Sequence, residues 1–284
     1  MNNSILITGS NGFIGRNLSN YLSDKYNVVS LNRTKLNLLD KQSVDNLFDT
    51  QKFDIVIHTA TYDAAPEFTT NDPNRVLENN LVMFDNLAQH SDKYNAMLYF
   101  GSGAEKRRES QYGLSKYYMD QAAQNSKNIF NLRLYSVYGI GTDWRYRFIN
   151  NACAKVANNM PITIPKINKC DYLNVKDLCK IVDFYINNFK IISKSNDICS
   201  GDFIQPDEIV SVIKQVVHTS HIEIKYHNTV SSSVSRAKSS DKEYNGDPTF
   251  VKSLPIDITP LYDGVKELID FYSNKQINLK EFVY

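Results

Sequence analysis

At 284 residues and 42% hydrophobic content, the chain is long enough for one α/β domain plus a smaller lobe, with apolar side chains enough for a full core. Its 32 Lys+Arg against 31 Asp+Glu leave a net charge of +1, which argues against nucleic acid or an anionic membrane as partner. MNNSILITGS lacks a basic, then apolar leader and no apolar run reaches membrane-spanning length, so a cytoplasmic location is expected. Cys153, Cys170, Cys179 and Cys199 show neither CxxC spacing nor a His pattern, so free thiols and no metal site are expected.

In chain order, the apolar run Ser4–Thr8 reads as a buried parallel strand ended by a glycine, and Phe13–Ser23 as a helix with Phe13, Ile14, Leu18 and Leu22 on one face. Strands are expected at 27–31 and 54–58, with a helix at 41–49 between them turning Val44, Leu47 and Phe48 inward. A helix at 74–90, a strand at 96–100, a helix at 112–125 and a strand at 129–134 follow. This alternation predicts an α/β fold: a Rossmann-type, doubly wound parallel sheet. After about residue 160 the pattern changes to short strands at 162–165 and 172–175 and helices at 177–187, 205–218 and 259–273, which predicts a smaller C-terminal α+β lobe. The serine-rich stretch 229–242 reads equally as a solvated linker or as a lid ordered by ligand.

The first strand runs straight into Thr8-Gly9-Ser10-Asn11-Gly12-Phe13-Ile14-Gly15. Gly9 permits a tight turn, Gly12 lets backbone approach a pyrophosphate, and Gly15 lets the helix pack closely on the sheet. The turn between that strand and helix, with Asn11, Phe13 and Ile14 among its glycines, is the expected dinucleotide site. At the end of the second strand, where an acid usually holds the 2′-hydroxyl of NAD, this chain has Asn32-Arg33-Thr34. Arg33 suits a 2′-phosphate, so NADP is the expected cofactor; the alternative is an ordinary exposed arginine.

Tyr112 and Lys116 stand four apart on a helix and so share a face. A lysine cation beside the phenol favours its ionised form and makes it usable in acid–base chemistry, although a tyrosine-rich chain can hold such a pair by accident. Ser102, after the strand at 96–100, falls at the carboxyl edge where doubly wound sheets bind ligands, and its hydroxyl is placed to hold a carbonyl oxygen.

Together these segments resemble the extended short-chain dehydrogenase/reductases, the nucleotide-sugar epimerase/dehydratase superfamily. The carrying stretches are TGSNGFIG (8–15), LNRTKLNLLD (31–40), HTAT (58–61), GS (101–102), YGLSK (112–116), LRLYSVYG (132–139) and DYLNVKDL (171–178). The resemblance implies an NADP-binding Rossmann domain over 1–160 and a mainly substrate-binding lobe over 161–284, some segments returning to the first. It implies Ser102, Tyr112 and Lys116 as catalytic residues, with Tyr112 as proton donor and with Tyr112 and Lys116 also touching cofactor. Asp40 is then expected near adenine, and Ala60 and Asn80 along the cofactor groove. Ser102, Gly103, Ser136, Arg145, Arg147, Lys169 and Arg236 are the candidates for substrate contact.

Departures within the resemblance narrow the reaction. The 4,6-dehydratases follow their catalytic residue with Asp-Glu, where this chain has Gly103-Ala104. The epimerising branch related to GDP-fucose synthase carries Cys and His where this chain has Ala104 and Arg147. Ser102 and Tyr112 are only ten positions apart, a shortening similar to that of 4-keto reductases; the charged loop 105–111 between them is either solvated or in touch with substrate. The implied activity is NADPH-dependent reduction of a nucleotide-linked 4-keto-6-deoxysugar, serving surface-glycan assembly. An NAD-retaining epimerase and a non-catalytic NADP-binding regulator are the alternatives. A homodimer through the helices 74–90 and 112–126 is expected by the same resemblance.

Overall fold

A computed structural model describes residues 3–63, 69–145, 147–164, 169–218, 222–226, 245–275 and 277. The chain forms two compact units: residues 1–134 with 179–198, and residues 135–178 with 199–284.

The first unit is a six-stranded parallel sheet in the order β2-β1-β3-β4-β5-β9, as the alternating pattern predicts. Its strands are β1 (Ser4–Thr8), β2 (Asn27–Leu31), β3 (Ile55–His58), β4 (Ala96–Ser102), β5 (Ile129–Leu134) and β9 (Ser195–Ile198). Its helices are α1 (Phe13–Ser23), α2 (Lys41–Thr50), α3 (Val76–Ala88) and α4 (Gln111–Gln124). The chain runs from β1 to β2 on one side and then crosses to β3 on the other, so the sheet's switch point lies between β1 and β3. Helix α3 begins at Val76 rather than 74, because Asp72 caps a separate 3-10 turn over Pro73–Arg75. Strand β4 runs two residues further than expected, since Gly101 and Ser102 still pair with Arg133 and Leu134 of β5. Strand β9, half-buried and polar (Ser195-Asn196-Asp197), carries no apolar run, yet pairs in parallel with β5 at the sheet edge.

The second unit holds a three-stranded sheet, β10-β8-β6, built from β6 (Ser136–Tyr138), β8 (Cys170–Asn174) and β10 (Phe203–Ile204). A pair, β7 (Ile162–Ile164) and β11 (Ile224–Tyr226), lies beside helices α5 (Phe148–Ala157), α7 (Pro206–Val216), α8 (Thr249–Lys252) and α9 (Leu261–Ser273). Helix α6 (Val175–Asn188) gives its first four residues to this unit and the rest to the first. The division falls after Leu134, not after residue 160, and its cause is α5. Ile149, Ala152 and Cys153 of α5 share one buried cluster with Ile209 and Ile213 of α7 and Val265, Leu268 and Tyr272 of α9. Asn150 also donates to the Tyr272 hydroxyl at 2.9 Å.

The four cysteines are free thiols. Among the described residues no helix is long and apolar enough to cross a membrane. The stretch 229–242 lies outside the described residues.

Candidate active site

The glycine turn is shaped by contact with the loop after β3. Gly9 has φ +69°, and a β-carbon there would stand 2.6 Å from the Ala60 nitrogen. A β-carbon on Gly15 would stand 2.4 Å from the Gly9 carbonyl, so α1 packs directly on the turn. Gly12, by contrast, is exposed and meets only the Gly9 oxygen at 3.2 Å, leaving its open side for a ligand. These contacts fit a dinucleotide cradle: Gly9 and Gly15 are forced by the protein, Gly12 by what approaches it. Asn11 is exposed, and Phe13 and Ile14 are half-buried at the start of α1.

Arg33 is exposed in the turn after β2, and among the described residues no carboxylate pairs with it. The Asn32 side chain organises that turn, accepting from the Thr34 and Lys35 backbone N–H groups at 3.1 Å each. Asp40, expected near adenine, is exposed at the start of α2. It caps α2, accepting from the Gln42 N–H at 3.1 Å and the Ser43 hydroxyl at 2.5 Å, and the latter bond holds its carboxyl below the usual range. Asn80 is buried on α3 and its amide is fully engaged. It accepts from the Tyr62 N–H and donates to the Tyr62 and Val76 carbonyls, so it sets the course of the loop carrying Ala60.

Ser102 ends β4 and opens a short 3-10 turn over Gly103–Lys106 through a capping box. Its hydroxyl accepts from the Ala104 N–H at 3.2 Å, while its own N–H donates to Glu105 Oε1 at 3.1 Å. Tyr112 is half-buried in the first turn of α4, which Ser110 caps by accepting from the Gly113 N–H at 2.9 Å. A β-carbon on Gly113 would lie 2.1 Å from the Arg107 carbonyl and 2.6 Å from that of Ala104. The turn carrying Ser102 therefore lies flat on the start of α4, which explains how nine residues suffice between Ser102 and Tyr112.

Lys116 is buried, donates to the Phe100 carbonyl at 2.8 Å, and holds its ammonium 5.6 Å from the centre of the Tyr112 ring. Burial pushes its pKa down to about 8, against the opposing pull of Glu105 and Asp63. Beside it, His58 is buried with Nδ1 2.9 Å from the Thr8 hydroxyl. Burial, with the Lys116 charge adding, pushes that imidazole down to about 3, so it is neutral near pH 7.

Sequence reasoning missed the supports of this site. Thr59 donates through its hydroxyl to the Thr8 carbonyl at 2.6 Å, tying the glycine turn to the loop after β3. Glu105 passed for a charge in a solvated loop, but it is buried against Asn131 and Arg133. The signal available was its place three residues after Ser102, the spacing of a capping box.

In the second unit, Ser136 is half-buried in β6 and Lys169 is exposed before β8. Arg147 is exposed at the N-cap of α5. Arg145 grips Asp143 with two bonds, at 2.8 and 2.5 Å, so its guanidinium is already committed to a carboxylate. Lys155 was not anticipated: it is buried on α5, donates to the Thr163 hydroxyl at 3.0 Å, and burial pushes it down to about 8. Arg236 lies outside the described residues.

Over 165 residues the chain is 28% identical to a bifunctional UDP-glucose 4-epimerase and UDP-xylose 4-epimerase of Arabidopsis thaliana, covering 43% of this chain and 47% of that one, less than half of the plant enzyme's length. Over 222 residues it is 23% identical to a GDP-6-deoxy-D-talose 4-dehydrogenase of Aggregatibacter actinomycetemcomitans, covering 69% of this chain and 74% of that one. The fold is shared with the GDP-mannoheptose C4 reductase of Campylobacter jejuni, solved with NADP bound, at a TM-score of 0.76 and 18% identity over 96% of this chain and 99% of that one. Residues 5–201 match the NAD dependent epimerase/dehydratase family, and the chain belongs to it.

Proposed function

We propose that the chain uses NADPH to reduce the keto group of a nucleotide-linked 4-keto-6-deoxysugar. The observation that carries this reading is the pairing of an intact Ser102–Tyr112–Lys116 set with a neighbouring turn whose one carboxylate is buried and bound. Elimination, and epimerisation at a carbon flanking the ketone, each need a group to take a proton from a ring carbon. The acid of that turn, Glu105, is buried and bound to Asn131 and Arg133, and Ala104 has no titratable atom. The C4 chemistry named for the Aggregatibacter dehydrogenase and the Campylobacter reductase supports the same position on the sugar.

NADPH, held by the Gly9–Gly15 turn with Arg33 toward the 2′-phosphate, would supply the hydride. The Ser102 hydroxyl holds the keto oxygen, and the Tyr112 phenol gives it a proton as charge builds there. Lys116, its ammonium beside the Tyr112 ring, stabilises the phenolate that remains. Among the second unit's cations, the exposed Arg147 and Lys169 are proposed for phosphate contact, and the buried Lys155 joins them as a candidate. Helices α3 and α4 are proposed as a homodimer face, on which Tyr118 is 48% exposed.

The test is NADPH consumption at 340 nm with GDP-, dTDP- and CDP-4-keto-6-deoxysugars. Oxidation of NADPH with one of them names the nucleotide. A protein that consumes none and carries tightly held NAD is instead an epimerase, the reading that the match to the plant 4-epimerase favours.

A further inference from the structure

Beneath the catalytic turn lies a charged cluster drawn entirely from the first unit. Glu105 accepts from the Ser102 N–H at 3.1 Å, from Asn131 Nδ2 at 3.1 Å and from Arg133 Nε at 2.6 Å. Arg133 continues to Asp197 at 2.6 Å and to the Ser195 hydroxyl at 2.9 Å, and stands 3.5 Å from Asp120. Asn131 also donates to Asp120 at 2.7 Å. Three carboxylates thus face this guanidinium, Glu105 and Asp120 buried and Asp197 half-buried, with the exposed Lys106 at the rim, 4.0 Å from Asp197, so the cluster keeps negative charge that a second buried cation offsets.

That second cation is Lys116. Its ammonium binds the carbonyl of Phe100, while a β-carbon on the next residue, Gly101, would lie 2.2 Å from Glu105 Oε1. Lys116 and Glu105 therefore sit against the same peptide unit, one at its carbonyl and one at its far α-carbon. The remaining groups are accounted for on every side. Lys116 faces Tyr112 on its own helix, Asp63 from the loop after β3, and the neutral His58 on β3. Glu105 faces Arg133 and Asn131 on β5, Asp120 on α4 and Tyr99 on β4, with Asp197 of β9 behind the arginine and Lys106 4.0 Å from Asp197.

We propose that Glu105 is a positioning residue of the catalytic centre: one carboxylate both fixes the backbone of Ser102 and keeps the Lys116 ammonium charged beneath Tyr112. The proposal rests on the reductase reading only for the identity of the reaction; the arrangement itself is independent of substrate. It also gives a reason for the short Ser102–Tyr112 connection, because Glu105 must lie within one turn of Ser102 to reach its N–H.

The test needs neither substrate nor cofactor. The Lys116 ammonium is titrated by NMR of the full chain labelled with carbon-13 at lysine Cε, and Lys116→Met identifies its signal. The same titration is then made in Glu105→Gln. If Glu105 keeps the ammonium charged, Lys116 titrates lower by about one pH unit in Glu105→Gln. No shift, or a shift upward, overturns the proposal. Sucrose in the buffer supports the fold if Glu105→Gln unfolds in its absence. Glu105→Asp keeps the charge but shortens the reach to Ser102, so it is expected to leave the lysine titration in place. A Glu105→Asp titration that moves as far as that of Glu105→Gln also overturns the proposal. Failure of every nucleotide sugar in the 340 nm assay would remove the reductase reading and leave this result standing.

Discussion

Lys116→Met should make the protein more stable at neutral pH while disabling it. A lysine whose folded pKa is pushed down from 10.5 to about 8 binds its proton less well in the folded state than in the unfolded one. The resulting penalty is fully present below pH 8 and is relieved as pH rises toward 10.5. Two and a half pH units at about 1.4 kcal/mol each make it about 3 kcal/mol. Methionine fills the same volume without charge but gives up the bond to the Phe100 carbonyl, a loss of about 1 kcal/mol. The net gain is about 2 kcal/mol at pH 7, which raises Tm by about 4 °C for a chain of this size. By pH 10 the wild-type lysine has shed most of its penalty, and the two proteins should be about equally stable. Thermal unfolding of both at pH 7 and pH 10 makes the comparison, and the difference between them cancels the contributions of groups that Lys116 does not face. A variant less stable than wild type at pH 7 would show that pairing with Glu105 and Asp63 outweighs desolvation, and the argument would fail. Turnover should fall by at least about a hundredfold, since Tyr112 loses its neighbouring cation.

Three further outcomes follow from the same geometry. Gly113→Ala drives a β-carbon to within 2.1 Å of the Arg107 carbonyl and should lift the turn that carries Ser102. A loss of about 1–3 kcal/mol in urea unfolding and a turnover loss larger than any loss of NADPH affinity are expected; wild-type values of both would refute the close packing. His58, neutral when folded with its pKa pushed down to about 3, takes up a proton only on unfolding as pH falls below about 6.5. Stability should therefore decline from pH 6.5 downward, by about 3 kcal/mol at pH 4.5 from this residue alone, and His58→Asn should flatten that part of the profile. Arg33→Asp should reduce the preference for NADPH over NADH by about ten- to a hundredfold, measured as a ratio of dissociation constants by fluorescence titration. An unchanged ratio would remove Arg33 from cofactor choice.

What could be read in the chain and what could not divide along a physical line. The strands β1, β3 and β4 are buried on both faces, so each appears as a largely apolar run, and the helices between them repeat at helical spacing. Glycines at 9, 12 and 15 and the four-residue spacing of Tyr112 and Lys116 are likewise local patterns, visible without knowing what the chain folds against. Strand β9 is different: its Ser195, Asn196 and Asp197 are polar because Ser195 and Asp197 receive the Arg133 guanidinium, so its reason for being a strand lies 62 to 64 residues away. The same holds for Glu105, whose charged neighbours Lys106, Arg107 and Arg108 make the segment look solvated. Its burial is decided by Asn131 and Arg133 on a strand formed later in the chain, and no pattern within 105–111 contains them. Alternation and spacing thus locate the groups that touch the reaction, whereas the groups that hold them in place are chosen by tertiary pairing. The short connection from Ser102 to Tyr112 joins the two kinds of information. It is a local feature that becomes intelligible only once Gly113 is seen beneath the Ala104 and Arg107 carbonyls and Glu105 beneath Ser102.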